Sequence, residues 1–386
     1  MIGNNALKSK VKDFNWKVFF ALLGIGILII ALLGKNYHDY AAYIRHWIVI
    51  SEGGNPYLGK ASDNAYGIIY NLFAYTNISA KVALPRVLWI LFYFLSLIGL
   101  KSFLKESTPN FPTRSILVFL LVNPLFLIFG LKYGSNDVFL ASLVLLGVLL
   151  YLKKKHILSG IMIALAIGFK YIPLLIAPFL IFQNTLKVNL KFLISVSLAL
   201  ALIFFIGYLE WGDNIIKPLI FGKERISKIF SIFRFLRAQG INLDSCSTIS
   251  TVFSVVLSFS LYIVFKLDRM ILILFCWFNI LLLYKVGHPQ FYLTPLLLGS
   301  LVFVLNHKII EQSRLMLFCI ILLGMWLFFW PFYYDNMGIS LEVRDWIGLP
   351  HSIILLTTNI SLLKLAFIKR NLLKGKHAIY DLNQKK

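Results

Sequence analysis

Twelve apolar runs follow one another along this chain, at residues 18–34, 82–100, 115–130, 138–152, 157–169, 171–183, 192–209, 249–265, 270–284, 291–305, 315–330 and 347–363. No other feature restricts the fold so tightly. A lipid bilayer offers no water to an unpaired backbone group, so such runs resolve into helices that satisfy their own hydrogen bonds. A span needs roughly 20 apolar residues and several runs are shorter, so the count predicted is twelve, within a range of about ten to thirteen. The run 171–183 is the least secure, because Pro173 and Pro178 would bend it and could make it re-entrant. Composition agrees: the chain is 59% hydrophobic and 14% charged, against about 45–50% and about 25% in soluble domains. The predicted fold is an all-α polytopic membrane protein, a single transmembrane domain over residues 1–386 with outer loops at 35–81 and 210–248. Basic residues precede the first run and no small-residue cleavage site follows it, which predicts a retained anchor.

A formal charge of +22 raises the question of nucleic acid. Its distribution answers against it. Most of the 38 Lys and Arg fall on one side of a twelve-span topology, among them Lys8, Lys10, Lys12, the run Lys153-Lys154-Lys155 and the tail from Lys364 to Lys386. This positive-inside bias predicts cytoplasmic N- and C-termini. The excess charge is then topological, with some attraction to anionic membrane lipids. Most of the 16 acids fall on the outer face, where no topology rule puts them. Of the three cysteines, Cys276 and Cys319 lie inside apolar runs and read as packing residues, and Cys246 completes no disulfide framework.

Five outer stretches carry residues that a simple connector does not need. In HDYAAYIRHWIVISEGGNPY, residues 38–57, Asp39, Tyr43, His46 and Ile50 share one face of a helix with Trp47 beside them. An amphipathic connector capped by Asp39 would explain the aromatics. It does not explain His38 before the acid, or the rigid turn at Gly53-Gly54, in which Asn55 and Tyr57 shape the loop. In LKYGSND, residues 131–137, the plain reading makes Asp137 an N-cap and Lys132 a snorkelling interface residue. In GFKYIP, residues 168–173, Lys170 stands among apolar residues and against the charge bias, which marks it as functional. In KVGHPQFY, residues 285–292, a tight turn requires Gly and Pro but not His288 or Gln290. In 210–248, Lys217, Lys223, Arg225, Lys228, Arg234 and Arg237 alternate with aliphatic residues and Phe. Residues 223–238 there predict a basic amphipathic helix in the membrane plane. Such a helix binds headgroups or forms a wall for a substrate phosphate, which Arg grips bidentately.

All five stretches fall on the same side of the membrane. They predict an outer-leaflet cavity lined by one candidate base and several cations. A carboxylate opposite cations suits attack by a hydroxyl on a carbon that bears a phosphate leaving group, the acid taking the proton and the cations stabilising the departing charge. The acid after the first run, the helix ending in GGNPY, the NP and GSND elements, FKYIP and HPQFY together resemble the GT-C superfamily of integral-membrane glycosyltransferases. Within it they are most similar to the polyprenol-phosphate-mannose-dependent mannosyltransferases, over nearly the whole chain. The resemblance implies Asp39 as general base and inverting transfer of a hexose, mannose by that analogy, from a polyprenyl-phosphate sugar to a glycan or glycolipid acceptor. It implies work at the outer face of a bacterial inner membrane, with no nucleotide sugar and no cofactor. Many members carry two acids close together where this chain has His38-Asp39, so no metal is assigned. His38 would border the acceptor, Lys170 and His288 would contact the donor phosphate with Arg234 and Arg237, and Asp137 would hold a sugar hydroxyl. Two rival classes stand beside this one. A transporter or lipid flippase would place its polar groups mid-span and show paired broken helices, which this chain does not. A lipid-linked polysaccharide polymerase or ligase would have a larger outer loop with paired arginines, a possibility that Arg234 and Arg237 leave open.

Overall fold

The computed structural model describes residues 15–33, 38–58, 66–76, 84–336 and 340–384, and the described chain is helical throughout except for turns and one isolated bridge, Phe182 to Val188. The helices are α1 (Trp16–Leu33), α2 (His38–Ser51), α3 (Ile68–Leu72), α4 (Leu84–Ser107), α5 (Thr113–Val122), α6 (Asp137–Leu152), α7 (His156–Phe169), α8 (Ala177–Ile181) and α9 (Leu190–Trp211). They continue with α10 (Lys217–Glu224), α11 (Ile232–Ala238), α12 (Ser247–Val264), α13 (Arg269–Leu283), α14 (Leu293–Glu311), α15 (Arg314–Asn336), α16 (Leu341–Trp346) and α17 (Gly348–Gln384). Every apolar run of the sequence is helical, but the lengths divide them. Among the described residues seven helices are long and apolar enough to cross a membrane, or eight if the pair Thr113–Val122 and Leu125–Lys132, bent by 50°, is one span. The other four runs form shorter helices, Asp137–Leu152, His156–Phe169, Ile172–Ile181 and Arg269–Leu283. By length, then, seven or eight of the twelve expected runs are full spans. The stretch with Pro173 and Pro178 breaks into a 3-10 turn, Ile172–Ile176, followed by α8. Its ten residues rise only about 18 Å, little more than half of a bilayer core.

Burial explains why short helices persist. In α6, 13 of 16 residues are buried, and in α13, 12 of 15, so both are apolar all round and sit inside the protein. The core helix α6 packs against α4, α7 and α14, while α13 packs against α12 and α17. The rim is the reverse. Leu190, Ile194, Leu198, Leu202, Phe205 and Leu209 form an exposed apolar row on α9 at three- and four-residue spacing, and α1 and α12 present similar faces. A stripe of that extent is at home against acyl chains rather than water. The protein is therefore an integral membrane protein with a shielded core and a lipid-facing rim.

Chain direction sorts the loops. Because α6 runs away from Asp137 and α7 returns to Lys170, those two residues share one end of the bundle, with Leu152 and His156 at the other. α12 and α13 repeat the pattern, returning the chain to the Asp137 end at Leu283. The expected continuous helix at 223–238 is interrupted. After α10 the residues 225–231 run without helix, and Ser231 then caps α11 by accepting from the Phe233 amide at 3.2 Å. The interruption has a tertiary cause. Lys228 donates its amide to the Lys285 carbonyl at 2.8 Å, Ser227 donates its amide to Asp244 Oδ2 at 3.0 Å, and Ser231 Oγ donates to the Tyr284 carbonyl at 3.1 Å. Two glycines admit this threaded segment: a Cβ on Gly287 would stand 2.6 Å from the Phe230 carbonyl, and one on Gly348 would stand 2.2 Å from the Ser231 carbonyl oxygen.

Candidate functional site

α2 is held by aromatic packing. Tyr40, Tyr43, Trp47 and Ile50 are buried on its inner face, against Tyr70, Trp89 and the partly buried Tyr66. The Trp47 indole donates to the Tyr70 carbonyl at 3.0 Å, which fixes the helix to α3. The turn that ends α2 is pinned as well: Asn55 accepts from the Tyr57 amide at 2.9 Å and donates to the Trp211 carbonyl at 3.1 Å, and Lys217 Nζ donates to the Tyr57 carbonyl at 2.6 Å. The expected loop-shaping role of Asn55 and Tyr57 matches these contacts. His38 opens α2, and its side chain lies outside what the structure describes. Asp39 follows it on a rigid support. Gln290 Nε2 donates to Asp39 Oδ2 at 3.1 Å, which brings the first outer stretch against the HPQFY turn.

The GSND stretch is positioned by an unusual helix. Asn123 Oδ1 accepts from the Leu125 amide at 3.0 Å, and Leu125–Lys132 then winds as a π-helix, a form enriched at functional sites. Its end is closed by the Tyr133 amide to the Ile128 carbonyl and the Ser135 amide to the Phe129 carbonyl, both 2.8 Å. This delivers Asp137 as the first residue of α6, with Asn136 rather than Asp137 at the cap position. The Asp137 carboxylate accepts Ser135 Oγ at 3.1 Å and Lys170 Nζ at 2.7 Å. Lys170 comes from the C-terminal end of α7, where its extended backbone (φ −155°, ψ 126°) turns the chain out of the helix. Its ammonium also lies 4.6 Å from the centre of the Phe291 ring and 5.9 Å from that of Tyr66, both within cation–π reach.

Tyr66 and His288 connect the two halves of the site. Burial, and then the Asp39 carboxylate, push the Tyr66 phenol up; a hydrogen bond from Tyr43 opposes them, Asp137 adds to the rise and Arg225 lowers it. For His288, burial first and then the charges of Arg225, Lys170 and Lys228 push the imidazole down to about 3, so it is neutral near pH 7. Asp39, Tyr66, Asp137, Lys170, Arg225, Lys228, His288 and Gln290 thus form one electrostatic neighbourhood. Of the predicted residues, the structure brings Asp39, Asp137, Lys170 and His288 to it. Arg234 and Arg237 are turned to other partners. Arg234 Nε donates to Asp345 Oδ1 at 2.7 Å, and Arg237 Nη1 pairs with Asp244 Oδ2 at 3.2 Å. They brace the threaded segment, while Arg225 and Lys228 supply its cations to the site. Nothing in the basic run distinguishes these two from the four others. Gln290 had a signal, an amide that a tight turn does not require, and its partner lies 251 residues away in sequence.

Chemically, the arrangement offers a carboxylate held by an amide, a second carboxylate paired to a lysine, one arginine and one further lysine, and a neutral imidazole. It can accept a proton on one side and stabilise negative charge on the other. In comparisons with known proteins, the profile described as glycosyltransferase family 87 matches residues 65–331, more than two-thirds of the chain. The matched segment contains Asp137, Lys170, Arg225, Lys228, His288 and Gln290, and Asp39 precedes it. No curated protein matched the chain.

Proposed function

The chain belongs to glycosyltransferase family 87 and is a membrane glycosyltransferase of the GT-C type, and from that premise we propose that the Asp39 neighbourhood is its transfer site. The donor is a polyprenyl-phosphate hexose, with mannose as the sugar suggested by the resemblance of the motifs. The acceptor is a hydroxyl on a glycan or glycolipid. Asp39 takes the proton as the acceptor oxygen attacks the anomeric carbon, and the bond from that carbon to the phosphate oxygen breaks with inversion. Gln290 orients the carboxylate through its 3.1 Å hydrogen bond. Lys170, Arg225 and Lys228 face the developing phosphate charge, and neutral His288 adds an N–H donor. Asp137 keeps Lys170 in place at 2.7 Å and is available to a sugar hydroxyl.

The observation that supports this reading is that two sequence-distant acids, Asp39 and Asp137, act on Tyr66, while Lys170, Arg225 and Lys228 act on His288, two residues from the Gln290 that holds Asp39. The charge bias, with Lys153-Lys154-Lys155 at the opposite end, supports an outer-face site in a bacterial inner membrane. The test is transfer from a polyprenyl-phosphate mannose by the purified protein in detergent, where no compartments exist and transport makes no product. Asp39→Asn abolishes transfer with the protein still monodisperse and equally stable. An asparagine variant that keeps near-normal turnover removes Asp39 from the role of base.

A further inference from the structure

A cavity of about 530 Å³ opens at the end of the bundle opposite Asp39, where α6 ends and α7 and α13 begin. Leu152, His156 and Arg269 are in its wall. The 16 residues of α6 separate it from Asp137 by about 24 Å of helix, so it is no part of the site described above. Five permanent cations line it, Lys154, Lys266, Arg269, Lys369 and Arg370, against a single carboxylate, Asp268, which is already paired with Lys369 at 2.7 Å. Like charges gathered in one concavity repel, and an anion relieves that repulsion.

The cations are also held in place. Arg269 lies over the Tyr151 ring with its guanidinium carbon 4.7 Å from the centre, and its Nη2 donates to the Tyr262 hydroxyl at 2.8 Å. Arg370 Nε and His156 Nδ1 are buried with no hydrogen-bond partner among the described residues. The backbone carries a further sign. Among the described residues, the non-glycine positions with positive φ are Lys154 at 60°, Leu186 at 60° and Lys266 at 50°, and all three lie in the loops at this end. Left-handed backbone is unfavourable for such residues and gathers where a ligand site demands it.

We propose that this cavity is an anion site that binds a phosphate group. Guanidinium and ammonium groups together suit its oxygens, and the volume is that of a small-ligand pocket. The phosphate belongs either to an anionic lipid headgroup, whose glycerol carbons would pack against Leu152, Leu267 and Leu373 in the same wall, or to a soluble anion held by the cations alone. The site is independent of the chemistry assigned to Asp39.

Calorimetric titration of the purified full-length protein in a neutral detergent tests it. One arm uses a short-chain phosphatidylglycerol, with the matching phosphatidylcholine as control, and the other uses inorganic phosphate and pyrophosphate. Two variants accompany the wild type: Lys154→Asn with Lys266→Asn, since asparagine tolerates positive φ, and Arg370→Gln. The wild type binds one probe class, and both variants weaken that binding by about tenfold or more, as does raising salt. Loss in the lipid arm assigns the site to a membrane headgroup, and loss in the phosphate arm assigns it to a soluble anion. If no probe binds the wild type, or the variants bind as it does, the proposal is overturned.

Discussion

Lys170→Met isolates the physics of the buried ion pair. Lys170 Nζ lies 2.7 Å from Asp137 Oδ1, with the two side chains 14% and 5% exposed. At that distance opposite unit charges attract by about 6 kcal/mol at an effective dielectric constant of about 20. Removing both groups from water offsets most of that attraction, so the intact pair contributes little net stability. Deleting one member is another matter. With Lys170 gone, Asp137 keeps only the Ser135 hydroxyl among its described side-chain partners, and an uncompensated buried charge of this kind costs about 3–5 kcal/mol. Reversible unfolding of the purified protein by SDS titration in mild detergent, followed by helical circular dichroism, reads the difference. Lys170→Met and Asp137→Asn are each expected to lower stability, the former by about 3–5 kcal/mol, and the double variant to recover to within about 1 kcal/mol of the wild type. Transfer activity is expected to stay lost in the double variant, because the cation is missing from the site even when the fold is restored. A Lys170→Met protein within about 0.5 kcal/mol of the wild type, or a double variant whose losses simply add, would refute the reasoning.

Three further outcomes follow from the same geometry. Gln290→Leu removes the amide that holds Asp39, and a hydrogen bond to a charged group of about 1.5–3 kcal/mol corresponds to a loss of about 10- to 100-fold in kcat/KM, read by steady-state transfer kinetics. Gly348→Ala forces a Cβ toward the Ser231 carbonyl oxygen and displaces the segment that carries Arg225 and Lys228; it is expected to cost about 1–3 kcal/mol and to reduce transfer, while Gly324→Ala, with nothing within 4 Å, leaves both unchanged. His288 titrates near 6.5 when unfolded and at about 3 when folded, so the unfolded chain binds the extra proton between those values. Stability therefore falls as pH drops from about 6.5 toward about 3, and His288→Gln is expected to flatten that part of the pH profile in denaturation midpoints.

The helices were legible because lipid permits little else: each apolar run of the sequence is a helix, and Pro173 and Pro178 break theirs where the ring removes a donor. Asp137 and Lys170 were also legible, singly, since a charge in an apolar stretch needs a reason; that they answer each other across 33 residues was not. Asp137 had read more simply as a cap, and the cap position went to Asn136. The basic run at 223–238 misled because amphipathic periodicity persists through a segment whose Lys228 amide and Ser231 hydroxyl are claimed by the Lys285 and Tyr284 carbonyls, more than fifty residues away. Periodicity reports a face, and that face had two neighbours competing for it. Arg225 and Lys228 are therefore the cations of this run that act on His288, while the charges of Arg234 and Arg237 pair with Asp345 and Asp244.

The contrast between shielded short helices and exposed long ones bears on how the protein meets membranes of different thickness. Mismatch acts where helices touch lipid, on α1, α9 and α12, and is absorbed there by tilt at a fraction of a kcal/mol per ångström. α6 and α13, being almost wholly enclosed, have no acyl neighbours to respond to. Stretching or thinning the bilayer thus rocks the outer palisade while the polar groups at the ends of the inner pillars keep their spacing.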